Sequence, residues 1–201
     1  MLTDHSTKPD TREKILQAAF TVLSRQGYEN TSIKEIADEA GVAQGLVHYY
    51  FKSKQQLVLD VCEAVGKKME YPAAEGAAGA VQAYENFKSM LKHDRSTHAL
   101  YIQLLAVGLH DKEVGTGMLK HLIEDREHIE HIARQVLAER GQEDPRRAKA
   151  LASVVEAAVI GIIVQHLLDA NFDADEAVDT LNAMSLSAIF EPAQGEIQRE
   201  G

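Results

Sequence analysis

Between Gln44 and Tyr50 the chain gathers groups able to hydrogen-bond phosphates or base edges. They are the Gln44 amide, the His48 imidazole and the Tyr49 and Tyr50 phenols, with Gly45 allowing close backbone approach. Thr31 and Ser32 add hydroxyls upstream, and Lys54 adds a charge downstream. A second constellation is His121, Asp125 and His128, spaced by four and three on one helix face, with His131 a turn beyond. That spacing could hold a metal if another helix supplied a ligand. It equally suits a solvated face beside Glu124, Arg126, Glu127 and Glu130, and no metal site is expected. A third set, Tyr84, Phe87, His98, Tyr101, Gln103, Met118, His121, Gln165 and His166, interleaves aromatic or polar-tipped residues with apolar ones. Small-molecule pockets between bundle helices are built from such mixtures. No GxSxG, P-loop, HExxH or paired-cysteine motif occurs, so neither an enzyme nor a cofactor is expected.

The elements that must position the first set can be read locally. Ser32 with Glu35 three residues on is a capping box, and Ile33, Ile36, Ala37 and Ala40 follow at helical spacing. Gly41 ends that helix in a position that favours left-handed backbone. A second helix resumes at Ala43–Tyr50 with Val47 and Phe51 facing inward, and Ser53 caps a third with Gln56. Two helices joined by a glycine corner form a helix-turn-helix, whose second helix enters the DNA major groove. The same spacing serves an ordinary helical hairpin, and the residue types favour DNA. Lys54 opens the third helix, where a cation is locally unfavourable and a phosphate partner would explain it.

Residues 11–60 resemble the N-terminal domain of the tetracycline-repressor (TetR) family of bacterial transcription regulators. The resemblance lies in ILQAA, the Gly27-Tyr28 pair, TSIKEIADEAGV and HYYFKSKQQL. It implies a three-helix DNA-binding head on an all-α body that dimerises and usually binds a small effector. Two departures stand out. Ala43 replaces the usual Ser or Thr, removing a side-chain N-cap worth roughly 1 kcal/mol. His48 replaces a common tyrosine, which shortens the phosphate contact expected there and makes it pH-sensitive if the imidazole titrates.

The 201 residues carry a net charge of −10. Residues 1–68 hold nine Lys/Arg and nine Asp/Glu, and the remainder twelve and twenty-two. An acidic body would repel a duplex and leave binding to a neutral head with a few placed contacts. Cys62, the only cysteine, excludes an intrachain disulfide and reads as a buried structural thiol. Residues 1–9 are expected to be disordered and no secretory signal is read there. The longest apolar run, 157–164, is far short of the about 18 residues that span a bilayer, so a cytoplasmic protein without a membrane partner is expected.

Beyond the head every segment has helical spacing. Helices are predicted at about 54–69, 81–92, 98–110, 118–139, 145–170 and 174–190, and Asp10, Asp144 and Asp173 are read as caps. Pro72 and the small residues 73–80 read as a connector, and the tail after Pro192 should fray. The helix from Pro145 is apolar almost all round and needs cover on nearly every side, which points to a second subunit on residues 145–190.

The expected architecture is all-α: a helix-turn-helix head at 8–68 and an effector-binding, dimerising body at 69–201. The leading reading is a homodimeric regulator, a repressor released from a palindromic double-stranded operator by a small effector. Thr31, Ser32, Gln44, Gly45, His48, Tyr49, Tyr50 and Lys54 would meet DNA. Tyr84, Phe87, His98, Tyr101, Met118, His121 and Gln165 would meet the effector. The alternative is a metabolite- or metal-binding helical protein whose corner is only structural.

Overall fold

A computed structural model describes residues 10–69 and 75–190. All regular elements among them are helices: α1 (Thr11–Gln26), α2 (Ile33–Ala40), α3 (Gln44–Tyr50), α4 (Lys54–Met69), α5 (Gly76–His93), α6 (Arg95–Gly108), α7 (Lys112–Ala138), α8 (Pro145–Leu168) and α9 (Ala174–Phe190). The expected all-α class is what the chain adopts. The described residues form two compact units, one from 10–69 and 99–119, the other from 75–98 and 120–190. Helices α6 and α7 each contribute to both.

In the first unit α1 packs on α2 and α4, and α2 on α3. Ile15, Leu23, Ile36, Val47, Phe51 and Leu57 are buried in one cluster. Leu100 and Leu104 of α6 and Val114 and Met118 of α7 complete it. Fully burying such a side chain contributes about 1.5–3 kcal/mol. Two glycines allow these helices to approach closely. A Cβ on Gly115 would sit 2.4 Å from the Gly108 carbonyl oxygen, and one on Gly117 would sit 2.1 Å from Leu59 Cδ2. Cys62 is half-buried, and burial pushes its thiol up to about 12, which keeps it protonated and unreactive.

In the second unit α5 and α8 pack on α9. Ile132, Ala133, Val136 and Leu137 form a buried stripe with Ala148, against which Ala77, Ala80 and Ala83 pack. The part of the expected connector at 76–80 is therefore helix. Its small residues let α5 lie close to α7, and Gly76 adopts φ +63° with its amide donating to Gln135 Oε1 at 3.1 Å. Residues 1–9, 72–74 and the tail after Pro192, expected to be disordered, connecting and frayed, lie outside the described residues. Lys88–Asp179 at 2.7 Å and Lys92–Asp175 at 2.6 Å join α5 to α9.

Helix starts follow the caps. Asp144 accepts from the Arg146 and Arg147 amides, and Asp173 from Glu176 at 3.0 Å. Asp10 stands at the α1 N-cap, but its side chain makes no capping bond, contrary to expectation. Helix α7 begins six residues earlier than predicted because Asp111 Oδ1 accepts from the Glu113 and Val114 amides. Helix α6 likewise starts at Arg95, behind Asp94, whose carboxylate accepts from Thr97. Leu109 falls past its end and is exposed, as is Met184 of α9.

Helix α8 is apolar but incompletely covered. Val155, Ile162 and Ile163 are buried, while Val154 is 64% exposed and Leu168 82%. It is long and apolar enough to cross a membrane, although only 28% of its apolar window is buried. Among these residues Glu156 is 7% exposed, and its Oε2 has no partner among the described residues. Burial, reinforced by Asp125 and opposed by Arg126, pushes its carboxyl from 4.5 up to about 7. The folded chain then holds a proton between those values that the unfolded chain releases, so stability falls as pH rises through that window. Glu156→Gln should remove the loss. Thermal melts at pH 5 and pH 8 should differ by about 2–4 °C less than in the parent, the effect of roughly 1 kcal/mol in a chain this size. An unchanged difference would mean that Glu156 does not titrate in the folded state.

Candidate nucleic-acid interface and ligand cavity

The α2–α3 corner is built from local signals. Ser32 and Glu35 form both bonds of the capping box, and the Ser32 hydroxyl is the main reason the Glu35 carboxyl lies below its ordinary range. Gly41 takes φ 65° and ψ 37°. Its amide donates to Asp38 O at 3.2 Å, and the Val42 amide to Ala37 O at 3.0 Å. This pair of bonds is a Schellman closure, which requires a left-handed residue, a conformation that glycine adopts without a Cβ penalty. Ala43 caps α3 with no side-chain bond.

Burying Val47 and Phe51 fixes the roll of α3. Gln44, Gly45, His48 and Tyr49 then occupy one exposed face, with Tyr49 79% exposed. Tyr50 is half-buried and meets Tyr49 edge-on, the ring centroids 5.2 Å apart. Ser32 is exposed beside this face in sequence. Thr31 is 3% exposed, and its hydroxyl donates to Gly27 O at 2.7 Å. A phosphate there would have to displace that bond or use the backbone.

Lys54 is turned into the head. Its ammonium donates to the Tyr28 carbonyl and stands 4.2 Å from the Tyr28 ring centroid. Burial lowers its pKa, and the carbonyl and ring offset the cost of a cation at the α4 N-terminus. Ser53 caps α4 through the Gln56 amide at 2.9 Å. The Tyr28 hydroxyl donates to Asp111 Oδ2 at 3.3 Å, and Gln55 Nε2 approaches the same oxygen at 3.5 Å. Burial first, then Asp111, pushes the Tyr28 phenol up to about 12. The Val114 amide is the leading reason the Asp111 carboxyl is lowered. Sequence reading passed over Lys34 and Lys52, which are exposed on α2 and at the α3–α4 bend. An exposed cation flanking a reading helix was their available signal. Arg12 pairs with Asp60 at 2.5 Å and lies over the Phe51 ring.

The second unit holds a half-open cavity of about 130 Å³ between α5, α7, α8 and α9. Tyr84 and Phe87 line it, as sequence reading proposed. The rest of the expected set is dispersed. Met118 is buried in the first unit's core and Tyr101 packs against that core. His121 lies 3.8 Å from Glu124, and Gln165 is exposed, donating to Gly161 O at 3.3 Å. His98 is fully buried with neither ring nitrogen partnered among the described residues, and burial holds its pKa down. Aliphatic residues that sequence reading missed, including Ile129, Ile132, Val136, Leu151, Val155 and Val159, form most of the wall. Their signal was the 129/132/136 and 151/155/159 periodicity, which reads the same for any packed face. Among the described residues no three His, Cys, Asp or Glu side chains gather as an ion site, and His131 meets Gln135 at 3.1 Å.

An exposed polar face on the second helix of a helix-turn-helix is the arrangement with which such motifs read a DNA major groove. Residues 15–61 match the family model of the bacterial regulatory proteins, tetR family. AcrR, an HTH-type transcriptional regulator of Shigella flexneri, is 41% identical over 54 residues, which are 27% of this chain and 25% of that one. The chain spans 18–62% of the length of the first three curated relatives it matches. In fold it is similar to a transcriptional regulator of Pseudomonas aeruginosa PAO1, with a TM-score of 0.76 and 21% identity over 89% of this chain and 92% of the other. It is also similar to FadR of Bacillus subtilis in complex with stearoyl-CoA, with a TM-score of 0.71 and 16% identity over 87% and 97%.

Lys54→Ala should lower the stability of the head by about 1 kcal/mol, the scale of a partly buried cation–π contact. Denaturant melts of the full chain would read this. A melt identical to the parent would show that Lys54 has no bracing role.

Proposed function

We propose that the chain is a homodimeric regulator, a repressor that leaves a palindromic operator when its body binds a small effector. Gln44, Gly45 and Tyr49 face bases or the adjoining backbone. Ser32, His48 and Tyr50 hold phosphates, as does Lys54 on exchanging the Tyr28 carbonyl for one, with Thr31 contributing through its backbone. The single supporting observation is the exposed Gln44–Tyr49 face behind a closed glycine corner. Residues 8–68 carry DNA recognition, and residues 69–201 carry effector binding and dimerisation. Such a protein is non-enzymatic and works in the cytoplasm. Ligand regulation is supported by the apolar cavity and by the stearoyl-CoA bound to FadR.

The second copy covers residues 145–190, where Val154 and Leu168 of α8 and Met184 of α9 leave apolar surface uncovered. A closed two-fold pair satisfies it while presenting two reading helices to successive major grooves, about 34–36 Å apart. Effector binding and DNA binding then oppose each other by the same factor.

A mobility-shift assay with the chain's own upstream DNA tests the reading, and absence of a specific shift would defeat it. Gln44→Ala should relax discrimination at one operator position by about 1–3 kcal/mol. Lys54→Ala should lower the salt slope by about one unit, because its ammonium exchanges the Tyr28 carbonyl for a phosphate on DNA. Introducing Val154→Glu together with Met184→Glu should yield monomers by light scattering and sharply weaken operator binding. A dimer that survives both charges would place the interface elsewhere.

A further inference from the structure

The cavity of the second unit has a chemistry specific enough to name its ligand class. Its volume, about 130 Å³, is close to the roughly 150 Å³ of an apolar protein cavity that stays dry and accepts benzene. Ala80, Ala83 and Ala133 create the space, and branched aliphatic side chains and Phe87 wall it. Among the described residues no charged side chain lines it.

Among the described residues only two polar side chains, Tyr84 and Ser185, reach the wall, and they come from different helices. Their hydroxyl oxygens lie 2.8 Å apart. One hydroxyl donates to the other, so the pair is satisfied when the cavity holds only apolar atoms. It still keeps one hydrogen to give and lone pairs to accept. A single ligand hydroxyl or carbonyl can join it without stranding any group. An ionised ligand has no such partner. Lys88, next to Phe87 in sequence, is held by Glu85 at 2.6 Å and Asp179 at 2.7 Å. An unpaired carboxylate entering this wall would lose its hydration without a counter-charge. The aromatic faces of Tyr84 and Phe87 could attract a cation, and so could the buried carboxyl of Glu156 beside Val155. However, Glu156 is not among the residues that line the cavity.

Resting on the effector-regulated reading above, we infer that the effector is a neutral, apolar molecule of single-ring size bearing one hydroxyl or carbonyl group. The Tyr84–Ser185 pair recognises that group, and the aliphatic wall sets the size limit. Charged molecules of the same frame are rejected by desolvation.

Calorimetric titration of the full chain at pH 7.5 with four probes of one frame tests this: toluene, benzyl alcohol, benzoate and benzylamine. Benzyl alcohol should bind tightest, with toluene within about tenfold and both ionised probes at least about tenfold weaker than benzyl alcohol. The Tyr84→Phe/Ser185→Ala double variant should bind toluene as before and lose its preference for benzyl alcohol. Retained toluene binding would itself report a folded cavity. Benzoate or benzylamine binding as tightly as benzyl alcohol would overturn the proposal, as would no binding by any probe. The mobility-shift assay keeps the two failures apart. A chain that shifts its upstream DNA yet binds none of the probes refutes the ligand class alone. A chain that binds the neutral probes in the stated order without binding DNA supports the ligand class and refutes the regulator.

Discussion

The amide of Val42 bonded to the carbonyl of Ala37, across a left-handed Gly41, is the contact on which the reading face depends. It stops α2 and sets the direction in which the chain leaves. A seven-residue helix has too few hydrogen bonds to hold itself in water. Helix α3 therefore exists because that corner delivers it to a core that takes Val47 and Phe51. Once those two side chains are buried, the position of every other α3 residue is decided. The polar groups of Gln44, His48 and Tyr49 are exposed because Val47 is not.

The head is braced from below by residues far away in sequence. Asp111 serves two roles with one carboxylate: Oδ1 caps α7, while Oδ2 takes the Tyr28 hydroxyl. Tyr28 in turn receives the Lys54 ammonium on its carbonyl and ring. The start of α4 and the start of α7 are thus tied through one tyrosine, and Gly117 lets α7 lie directly on Leu59. Helix α7 continues into the second unit, where Ile129, Ile132, Ala133 and Val136 form part of the cavity wall.

The second unit shows why polarity was a poor guide to its cavity. A search for aromatic and polar-tipped residues finds Tyr84 and Phe87, but it also selects Met118 and Tyr101, which belong to the first unit's core. The cavity exists because alanines stand where larger side chains would fill it. Missing volume leaves no mark in a sequence, since an alanine on a buried face reads as close packing whether its neighbours converge or not. The small residues 76–80 posed the same difficulty in reverse: they read as a connector and act as a packing surface.

Signals that act within one or two helical turns could be read from residue order alone. These include the capping box at Ser32, the glycine stop at Gly41, the Ser53, Asp144 and Asp173 caps, and the apolar periodicity that makes every element a helix. Each is a bond or a steric limit between near neighbours, so its outcome is the same wherever the segment lies. Tertiary packing alone decided that Lys54 turns inward, that α6 and the start of α7 complete the head's core, and that two hydroxyls 101 residues apart meet at 2.8 Å. Those outcomes depend on which helix arrives opposite which, and chain order does not encode that arrival position by position.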